Sequence, residues 1–413
     1  MTAVVVTGMG VVSSIGATRE DFWAAALAGR NGVRPLQYAE MPPGQQLFGA
    51  QIRRDLLDQA DFDPRLSAGA VFALVAAREA VAHAGLAKDG ALQGADPLRC
   101  GLSLGSGTGN PRLTGSAMLR WKTRGLAAVQ PWMTQAIPAT AAGAALAADW
   151  GLGGPHHVFT TSCMASNNAI AQAVETLRAG RADVMVTGGT EGLFWVVANG
   201  FRMLTTVRGG ALECSQPFAA ERRGVIVGEG AGILVLERRE HAAARGARAY
   251  AEILGCGFGS DAFHMSTPHP EGVGGIAALA RALDVSGVTP EDVDYVSAHG
   301  TGSQANDVVE TKILKAVFGA RAPRIPVSSI KSMIGHTLGA ASAIEAIACV
   351  LAMRDSRIPP TINLTTPDPA CDLDYVPNVA RDHEVGVAVS NAFAFGGACS
   401  ALVLRREGSP TCH

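Results

Sequence analysis

The stretch VFTTSCMASNNAIAQAVETLRAG, residues 158–180, has the pattern of a buried strand that turns directly into a helix. VFTT is an apolar run of residues that favour strands. From Ala165 onward, apolar residues recur with the spacing of one helix face, and Gly180 ends the pattern. Cys163 therefore lies near a helix N-terminus, where unpaired backbone N–H groups favour an anion. That position suits either a small core residue or a thiolate nucleophile.

Apolar, strand-like runs alternate with helical patterns along the whole chain. This alternation predicts an α/β fold with a mainly parallel core. The runs are VVVTG, CGLSLG, VMVTGG, GILVLE, YVSAHG and VAVSN.

Similar segments recur in the same order in the first and second parts of the chain. A repeated order predicts a duplicated chain, in which two similar sheets pack together and sites from both halves meet between them. We place the boundary near residue 249, which gives an N-terminal half of residues 1–249 and a C-terminal half of residues 250–413. The matched segments are 4–14 with 251–261, 77–86 with 280–289, and 158–174 with 325–347.

Composition and charge restrict the class of protein. The 413 residues are 48% hydrophobic and 17% charged, as in a well-packed globular enzyme. The formal net charge is −2 and no run of lysine or arginine occurs, which argues against a nucleic-acid partner. The longest uncharged tract, residues 125–148, contains two prolines and is a poor membrane span.

The N-terminus and the cysteines indicate the compartment. MTAVVVTGMGVVSS lacks the basic region of a signal peptide and has the pattern of a first buried strand. The eight cysteines show neither CxxC pairs nor the spacing of metal ligands. We therefore expect a cytoplasmic protein with reduced thiols and no metal site.

Four short segments place a reactive residue type among small residues at a strand end. A cysteine and two histidines form a nucleophile with two candidate acid–base or hydrogen-bond partners. The segments are TTSCMAS with Cys163, SAHGTGSQAND with His299, SSIKSMIGHTLGAA with Lys331 and His336, and SNAFAFGGACS with Phe393 and Phe395.

These four segments, in this order, resemble the β-ketoacyl-acyl-carrier-protein synthases of the thiolase superfamily, closest to the synthase II type. The resemblance covers nearly the whole chain and implies a five-layer αβαβα fold of two duplicated halves. It also implies a homodimer or a dimer with a homologous chain. An acyl carrier protein would bring the phosphopantetheine arm, so the enzyme itself would need no cofactor.

By the same resemblance, Cys163 is the nucleophile that receives the acyl chain. Its activation would come from the helix N-terminus, which can lower the pKa of a thiol. The backbone N–H groups of Cys163 and Phe395 match an oxyanion hole. His299 and His336 match the pair that binds the malonyl thioester carbonyl and promotes loss of CO2.

Further matches concern the surroundings of these three residues. Lys331 matches a lysine that sets the protonation and orientation of His336. Glu345 is a candidate counter-charge, and a purely structural ion pair is an equal alternative. Thr301 and Ser303 match hydroxyls that bind the phosphopantetheine arm, with serine replacing the usual threonine.

The FAFGG segment matches a mobile gate. Phe393 and Phe395 are its aromatic residues, although both could also be plain core residues. Gly396 and Gly397 would give the loop conformational freedom. Thr108 falls where the family has a residue of the acyl pocket, often a larger aliphatic one.

Softer matches concern loops and surface charge. Asp261 and His264 in SDAFHM would belong to a second loop facing the gate. Exposed basic residues could meet an acidic carrier protein, although such residues are ordinarily just solvated. These basic residues are Arg120, Lys122, Arg124, Arg202 and Arg208.

Departures from the synthase II pattern leave the substrate open. GSQANDVVET after AHGT is closer to ketosynthases of type II polyketide and polyene systems, and the asparagines of MASNNA are unusual. A polyketide ketosynthase with a chain-length-factor-like partner is therefore the alternative of the same chemistry. A non-catalytic partner is disfavoured by Cys163 and both histidines. A degradative thiolase is disfavoured because Cys399 follows GGA rather than standing in a CxG segment.

Overall fold

A computed structural model of the protein describes residues 2–42, 44–57, 62–88, 90–205 and 213–409. Strands account for the apolar runs of the sequence. Their bounds are β1 Val4–Val12, β2 Arg34–Pro35, β3 Phe48–Gly49, β4 Ala87–Lys88, β5 Ala91–Leu92, β6 Cys100–Gly105, β7 His156–Phe159, β8 Val184–Glu191, β9 Gly230–Arg238, β10 Ala251–Ser260, β11 Tyr295–Ser297, β12 Val327–Ser328, β13 Arg357–Ile358, β14 Arg381–Asp382, β15 Val387–Phe393 and β16 Ala398–Arg406.

Helices connect and cover these strands. Several begin at a side-chain cap, such as Ser67 before α2 and Ser303 before α10, which satisfies a backbone N–H that has no partner within the helix. The helices are α1 Arg19–Leu27, α2 Ala68–His83, α3 Pro111–Arg124, α4 Pro131–Ala136, α5 Thr140–Trp150, α6 Ala165–Arg178, α7 Trp195–Thr205, α8 Arg239–Ala244, α9 Val273–Ser286, α10 Gln304–Phe318, α11 Lys331–Ile334 and α12 Ala341–Asp355.

The main sheet has ten strands in the order β12-β11-β15-β16-β10-β1-β9-β8-β6-β7. Its two halves have the same topology. β1, β9, β8, β6 and β7 pair in the same sequence of antiparallel and parallel ladders as β10, β16, β15, β11 and β12. The repeat seen in the sequence is therefore a repeat of topology, while the exact boundary at residue 249 remains a prediction.

Two expectations about the sheet need correction. The core is mixed rather than mainly parallel, because β15 and β16 are joined by only four residues, and so short a connection can join only antiparallel strands. The halves are also not separate sheets. β1 and β10 join them through two paired positions, Val5 with Glu252 and Val6 with Ala251.

Helices α6 and α12 lie between the two halves of the sheet and pack on strands of both. Every residue of α12 from Ala341 to Met353 is buried, and most are small, so the helix can be enclosed on all sides. Helices α2 and α9 cover the outer faces of the two halves. The five layers are helices, half-sheet, helices, half-sheet and helices, as the resemblance implied.

Candidate active site

Cys163 lies in a tight turn between β7 and α6. The 3₁₀ turn Ser162–Met164 leads directly into α6, and Ser162 adopts a positive φ of 52° that a residue with a side chain rarely takes. A second turn, Leu338–Ala340, leads into α12 in the same way, and Leu338 has a φ of 47°. The thiol therefore stands on one of two equivalent turns, one in each half.

A cavity of about 260 Å³ brings together Cys163, His299 and His336. The three residues come from different elements, and each is at most 6% exposed. The sequence predicted that both halves contribute to one site, and this cavity is where they meet. Other predicted residues that line it are Thr301, Ser303, Phe393 and Phe395.

The two imidazole rings meet edge to face, with centroids 5.2 Å apart and planes at 88°. The Leu338 N–H donates to His336 Nδ1 over 3.3 Å, so the proton of a neutral ring lies on Nε2. His336 Nε2 and His299 Nδ1 are buried and have no hydrogen-bond partner among the described residues. Each ring can therefore bind an oxygen or a proton that a ligand brings.

Both imidazoles are neutral at pH 7. Burial is the largest cause that lowers the pKa of His299 and His336 well below the usual value, and the Lys331 cation lowers both further. A neutral ring donates a hydrogen bond without carrying a positive charge. The pair suits stabilisation of an anion that forms during a reaction rather than permanent binding of one.

The thiol of Cys163 differs from the sequence expectation. Burial raises its pKa to about 12, and the nearby Lys331 cation only partly opposes this effect. The expected lowering by the helix N-terminus is outweighed because the sulfur is almost fully enclosed. In this enclosed position Cys163 is held as a thiol.

Lys331 and Glu345 form a buried ion pair between α11 and α12. Both side chains are at most 2% exposed. Burial raises the pKa of Glu345 to about 7, and Lys331 opposes that shift. The predicted counter-charge is therefore in contact, and the lysine acts electrostatically on both histidines.

Two buried carboxylates that sequence reasoning missed hold the His299 loop. Glu310 accepts the N–H groups of His299 and Gly300 at 2.8 and 2.7 Å. Asp307 accepts those of Thr301 and Gly302, both at 3.2 Å. The signal was the pair of acidic residues three apart in NDVVET, which places both on one face of α10. The loop is thus fixed by its backbone, and the His299 side chain is free to act.

The hydroxyl groups of Thr301 and Ser303 lie beside each other on the cavity wall, 3.0 Å apart. Ser303 is also the N-cap of α10, since it accepts the Asn306 N–H. A polar arm entering the cavity would meet both hydroxyls near its wall.

The gate segment packs against the site and against a second loop. The Phe393 ring lies edge-on to His299, with centroids 5.6 Å apart, and Phe395 stacks on Phe201 of α7 at 5.5 Å. Gly396 and Gly397 have positive φ angles of 89° and 77°. Phe395 is 37% exposed, so it lies at the border between cavity and solvent.

The second loop, residues 261–272, is hydrogen-bonded to the gate. The Gly396 N–H donates to the Met265 carbonyl and the Asp261 N–H to the Gly397 carbonyl, both at 2.8 Å. Asp261 therefore faces the gate as expected. His264 is exposed and accepts N–H groups of its own loop, those of Ser266 and Thr267.

Thr108 does not line the cavity. Its side chain is exposed, and its hydroxyl donates to the buried carboxylate of Glu191. The same carboxylate accepts the N–H groups of Gly107 and Gly339. Glu191, which the sequence did not single out, therefore ties the loop after β6 to the turn that follows His336.

The asparagines of MASNNA are structural. Asn167 is fully buried, and its side-chain amide donates to Ser400 Oγ at 3.0 Å, which links α6 to β16. The half-buried Asn168 donates to Thr161. Neither asparagine lines the cavity, so the hint of an unusual substrate from these residues loses its support.

The basic residues on α3 are exposed. Arg120, Lys122 and Arg124 face solvent, and Arg202 on α7 is partly buried. Arg208 lies outside the described residues. Their expected contact with a carrier protein stays a prediction.

Comparison with known proteins identifies relatives over the full length of the chain. The family model "Beta-ketoacyl synthase, N-terminal domain" matches residues 1–242, and "Beta-ketoacyl synthase, C-terminal domain" matches residues 250–365. Nodulation protein E of Rhizobium sp. (strain N33) is 40% identical, covering 98% of this chain and 99% of its own. 3-Oxoacyl-[acyl-carrier-protein] synthase 2 of Synechocystis sp. is 38% identical, covering 98% of each chain.

Two solved structures share the fold closely. The ishigamide ketosynthase/chain length factor superposes with a TM-score of 0.88 at 34% identity, covering 98% of this chain and 100% of that chain. The AntDE:AntF complex, a type II polyketide synthase acyl-carrier protein with its ketosynthase bound to the hexaketide, gives 0.89 at 32% identity, covering 98% and 99%.

Proposed function

The chain belongs to the β-ketoacyl synthase family, and we propose that it performs a decarboxylating Claisen condensation with Cys163, His299 and His336 as its catalytic residues. The product is a 3-ketoacyl-acyl carrier protein two carbons longer than the acyl group that enters. The observation that carries the proposal is the cavity that brings the Cys163 thiol together with two neutral imidazoles.

The first step loads the enzyme. Cys163 sulfur attacks the thioester carbonyl of an acyl carrier protein, a new carbon–sulfur bond forms, and the carrier's sulfur leaves as a thiol with the proton that Cys163 gives up. The N–H groups of Cys163 and Phe395 would stabilise the oxyanion of this step. The Phe395 N–H supports the assignment because it has no acceptor among the described residues.

The second step forms the carbon–carbon bond. Malonyl thioester loses CO2, and the electron pair of the broken bond gives an enolate whose oxygen accepts hydrogen bonds from the imidazoles. This interaction lowers the barrier because the negative charge exists only as CO2 leaves. The enolate carbon then attacks the acyl-Cys163 carbonyl, the carbon–sulfur bond to Cys163 breaks, and the Cys163 thiolate takes a proton from water.

The residues around the three catalytic side chains have supporting roles in this proposal. The Lys331 cation, paired with Glu345, adds to the effect of burial in keeping both rings in the neutral state that the second step needs. Thr301 and Ser303 would hydrogen-bond the phosphopantetheine arm. Phe393 and Phe395 would admit it, with Gly396 and Gly397 as the flexible part of the gate. Thr108 lies at the surface beside Glu191 and does not line the cavity. It would contact the acyl chain only if the chain extends beyond that cavity.

The carrier protein and its arm are the partner and the source of phosphopantetheine in this proposal, as in the AntDE:AntF complex, where the carrier protein is bound to its ketosynthase. We propose that the enzyme itself holds no cofactor. The described residues contain no helix long and apolar enough to cross a membrane. The seven cysteines in the described part of the chain are all free, which supports the proposed cytoplasmic location.

The decisive experiment uses acyl- and malonyl-carrier protein and follows CO2 release and product mass. The wild-type chain should release CO2 and give a product two carbons longer, and Cys163→Ala should abolish condensation. Release of no CO2 by the wild-type chain would refute the condensing function. Condensation that survives in Cys163→Ala would instead refute the nucleophile assignment.

Cys399→Ser is the matched control. Cys399 lines the same cavity, but its thiol is engaged by the Gly397 carbonyl, 3.5 Å away, and it does not stand on a turn that leads into a helix. It should therefore be dispensable. Loss of turnover in this variant, with Cys163 still acylated, would favour the thiolase alternative, in which a second cysteine acts as the base.

A polyketide or polyene pathway is the second candidate. Both solved structures cited above are ketosynthases, and one is a ketosynthase/chain length factor. The sequence identity to 3-oxoacyl-[acyl-carrier-protein] synthase 2 (38%) is similar to the identity to these polyketide-type structures (34% and 32%). Sequence identity therefore does not decide between the two pathways, whereas the partner chain would. Co-purification with a homologous chain that lacks the nucleophile would support the polyketide version, and a fully active homodimer would support fatty-acid elongation.

A further inference from the structure

A second cavity, of about 310 Å³, lies between the end of β1 and the loop that follows α1. Its wall includes three arginines, Arg30, Arg34 and Arg53, together with Ser14. No residue of this wall lines the catalytic cavity. The Gly32 N–H of the same loop donates to the Met333 carbonyl of α11, so the cavity lies behind the element that begins with Lys331.

The positive charge on this wall is only partly balanced. Arg53 pairs with Asp55, whereas Arg30 and Arg34 have no carboxylate within 4.0 Å in the described part of the chain. Among the residues that the structure describes, the Arg34 side chain makes one hydrogen bond, from Nη2 to the Ser14 carbonyl at 3.1 Å. Arginine stays protonated in proteins, so two guanidinium charges face this space without a counter-ion.

Two buried donors on the wall also lack acceptors. Arg34 Nε and Ser14 Oγ are both enclosed and have no hydrogen-bond partner among the described residues. Leaving a buried donor unsatisfied costs about 1–3 kcal/mol. The fold keeps two such groups beside a pair of unbalanced charges, and an anion rich in acceptor oxygens would satisfy both deficits.

Electrostatics at Arg34 agree with this geometry. Burial is the first cause that lowers the pKa of Arg34, and the neighbouring Arg53 guanidinium is the second. Asp55 and Glu229 act in the opposite direction, but each is paired with another arginine, Arg53 and Arg54 respectively. The nearby carboxylates are therefore already engaged.

We propose that this cavity binds a phosphate group, with the guanidinium groups of Arg30 and Arg34 and the hydroxyl of Ser14 as donors. Guanidinium forks bind carboxylate and phosphate oxygens alike in pairs of hydrogen bonds. Two guanidinium groups and a hydroxyl together offer more donors than the two oxygens of one carboxylate can accept, and the additional oxygens of a phosphate group suit this set better. A cavity of about 310 Å³ has room beyond the anion itself, so a small phosphate monoester fits as well as inorganic phosphate. The site is separate from the condensation chemistry and does not depend on it.

Isothermal titration calorimetry of the full chain with inorganic phosphate, pyrophosphate and AMP tests the site, against sodium chloride of equal ionic strength. We expect saturable binding of phosphate compounds, at least tenfold weaker in Arg34→Gln. Tighter binding of AMP than of phosphate would identify an organic phosphate as the ligand, and equal binding would identify the free anion.

Arg357→Gln is the matched control, because Arg357 is a partly exposed arginine paired with Asp382. It should bind like the wild-type chain. If Arg34→Gln fails to fold, Arg30→Gln replaces it, since Arg30 is exposed. Absence of binding at millimolar phosphate, or binding that neither arginine variant weakens, would overturn the proposal. CO2 release should stay unchanged in both arginine variants.

Discussion

The catalytic role proposed for Cys163 contrasts with an environment that suppresses the reactivity of its thiol. With its pKa raised to about 12 by burial, the resting thiol is almost entirely protonated at pH 7. We propose that the thiolate forms only when an acyl thioester enters and the leaving sulfur can take the proton. A resting enzyme of this kind is protected from oxidation and alkylation.

Alkylation of Cys163 by iodoacetamide tests this property. The rate should rise with pH over the range from about 7 to 10 without a plateau, because the thiolate fraction still grows throughout that range. Mass spectrometry of the Cys163 peptide gives the rate, and the Cys399 peptide is an internal reference with a similarly raised pKa. A plateau below about pH 9 would show that the helix N-terminus, and not burial, controls the thiol.

Lys331 should determine the acid limit of decarboxylation. Its cation lowers the pKa of His336, and the neutral imidazole is the form that we propose to be active, so activity should be lost as pH falls through the lowered pKa. Lys331→Met removes that cation, which raises the pKa of His336 and moves the acid limb of the pH profile upward. The measurement is CO2 release from malonyl-carrier protein as a function of pH.

The control for this variant is Lys312→Met, which removes an exposed lysine paired with Glu271. It should leave the acid limb where it is. If Lys331→Met lowers the rate of CO2 release at every pH without shifting the acid limb of the pH profile, Lys331 has only a structural role.

At the scale of elements, α10 shows which parts of the site can be predicted from local sequence and which cannot. The motifs around Cys163, His299 and His336 are short and local, so their residues and order could be predicted. The contacts of Asp307 and Glu310 with the His299 loop depend on where α10 packs. The pKa of Cys163 depends on burial by distant elements. Neither can be obtained from periodicity or residue type.

Gly396 should be required for gating as well as for folding. Its φ of 89° disfavours any side chain, and no atom lies within 4 Å of an added Cβ, so Gly396→Ala imposes backbone strain without a clash. We expect a loss of about 1–2 kcal/mol in the free energy of unfolding and roughly fivefold slower condensation. Urea unfolding and the carrier-protein assay measure the two effects.

Gly408 provides a matched comparison, since it has a φ of 81° and equally open surroundings but lies at the end of β16. Gly408→Ala should cost the same stability and leave condensation intact. Equal slowing of both variants would mean that strain alone, and not the gate, explains the loss.

For the whole molecule, the outer edge of the sheet is the notable surface. β7 is the last strand of the sheet, and α3 with the turn after it exposes Met118, Leu119, Trp121 and Leu126. An open edge strand and a group of exposed apolar side chains are each typical of a protein interface. This surface fits the dimer, with a second copy or a homologous chain, that the family implies.

The double variant Trp121→Glu with Leu126→Glu should weaken that dimer at least tenfold, because both side chains are more than half exposed in the single chain and would be desolvated in the interface. Analytical ultracentrifugation measures the change. Val379→Glu, at a side chain 74% exposed in the other half, should leave the dimer intact. An unchanged association constant in the double variant would place the interface elsewhere.

The two equivalent turns differ in one residue that limits what each half can do. Gly339 occupies the place in Leu338–Ala340 that Cys163 has in Ser162–Met164. A Cβ on Gly339 would lie 2.3 Å from the Gly107 nitrogen, so the second turn cannot carry a thiol without moving the backbone. If Cys163 carries the acyl group as proposed, the backbone at Gly339 limits the molecule to one such thiol on its two matched turns, and the matching turn of the second half is left without a nucleophile.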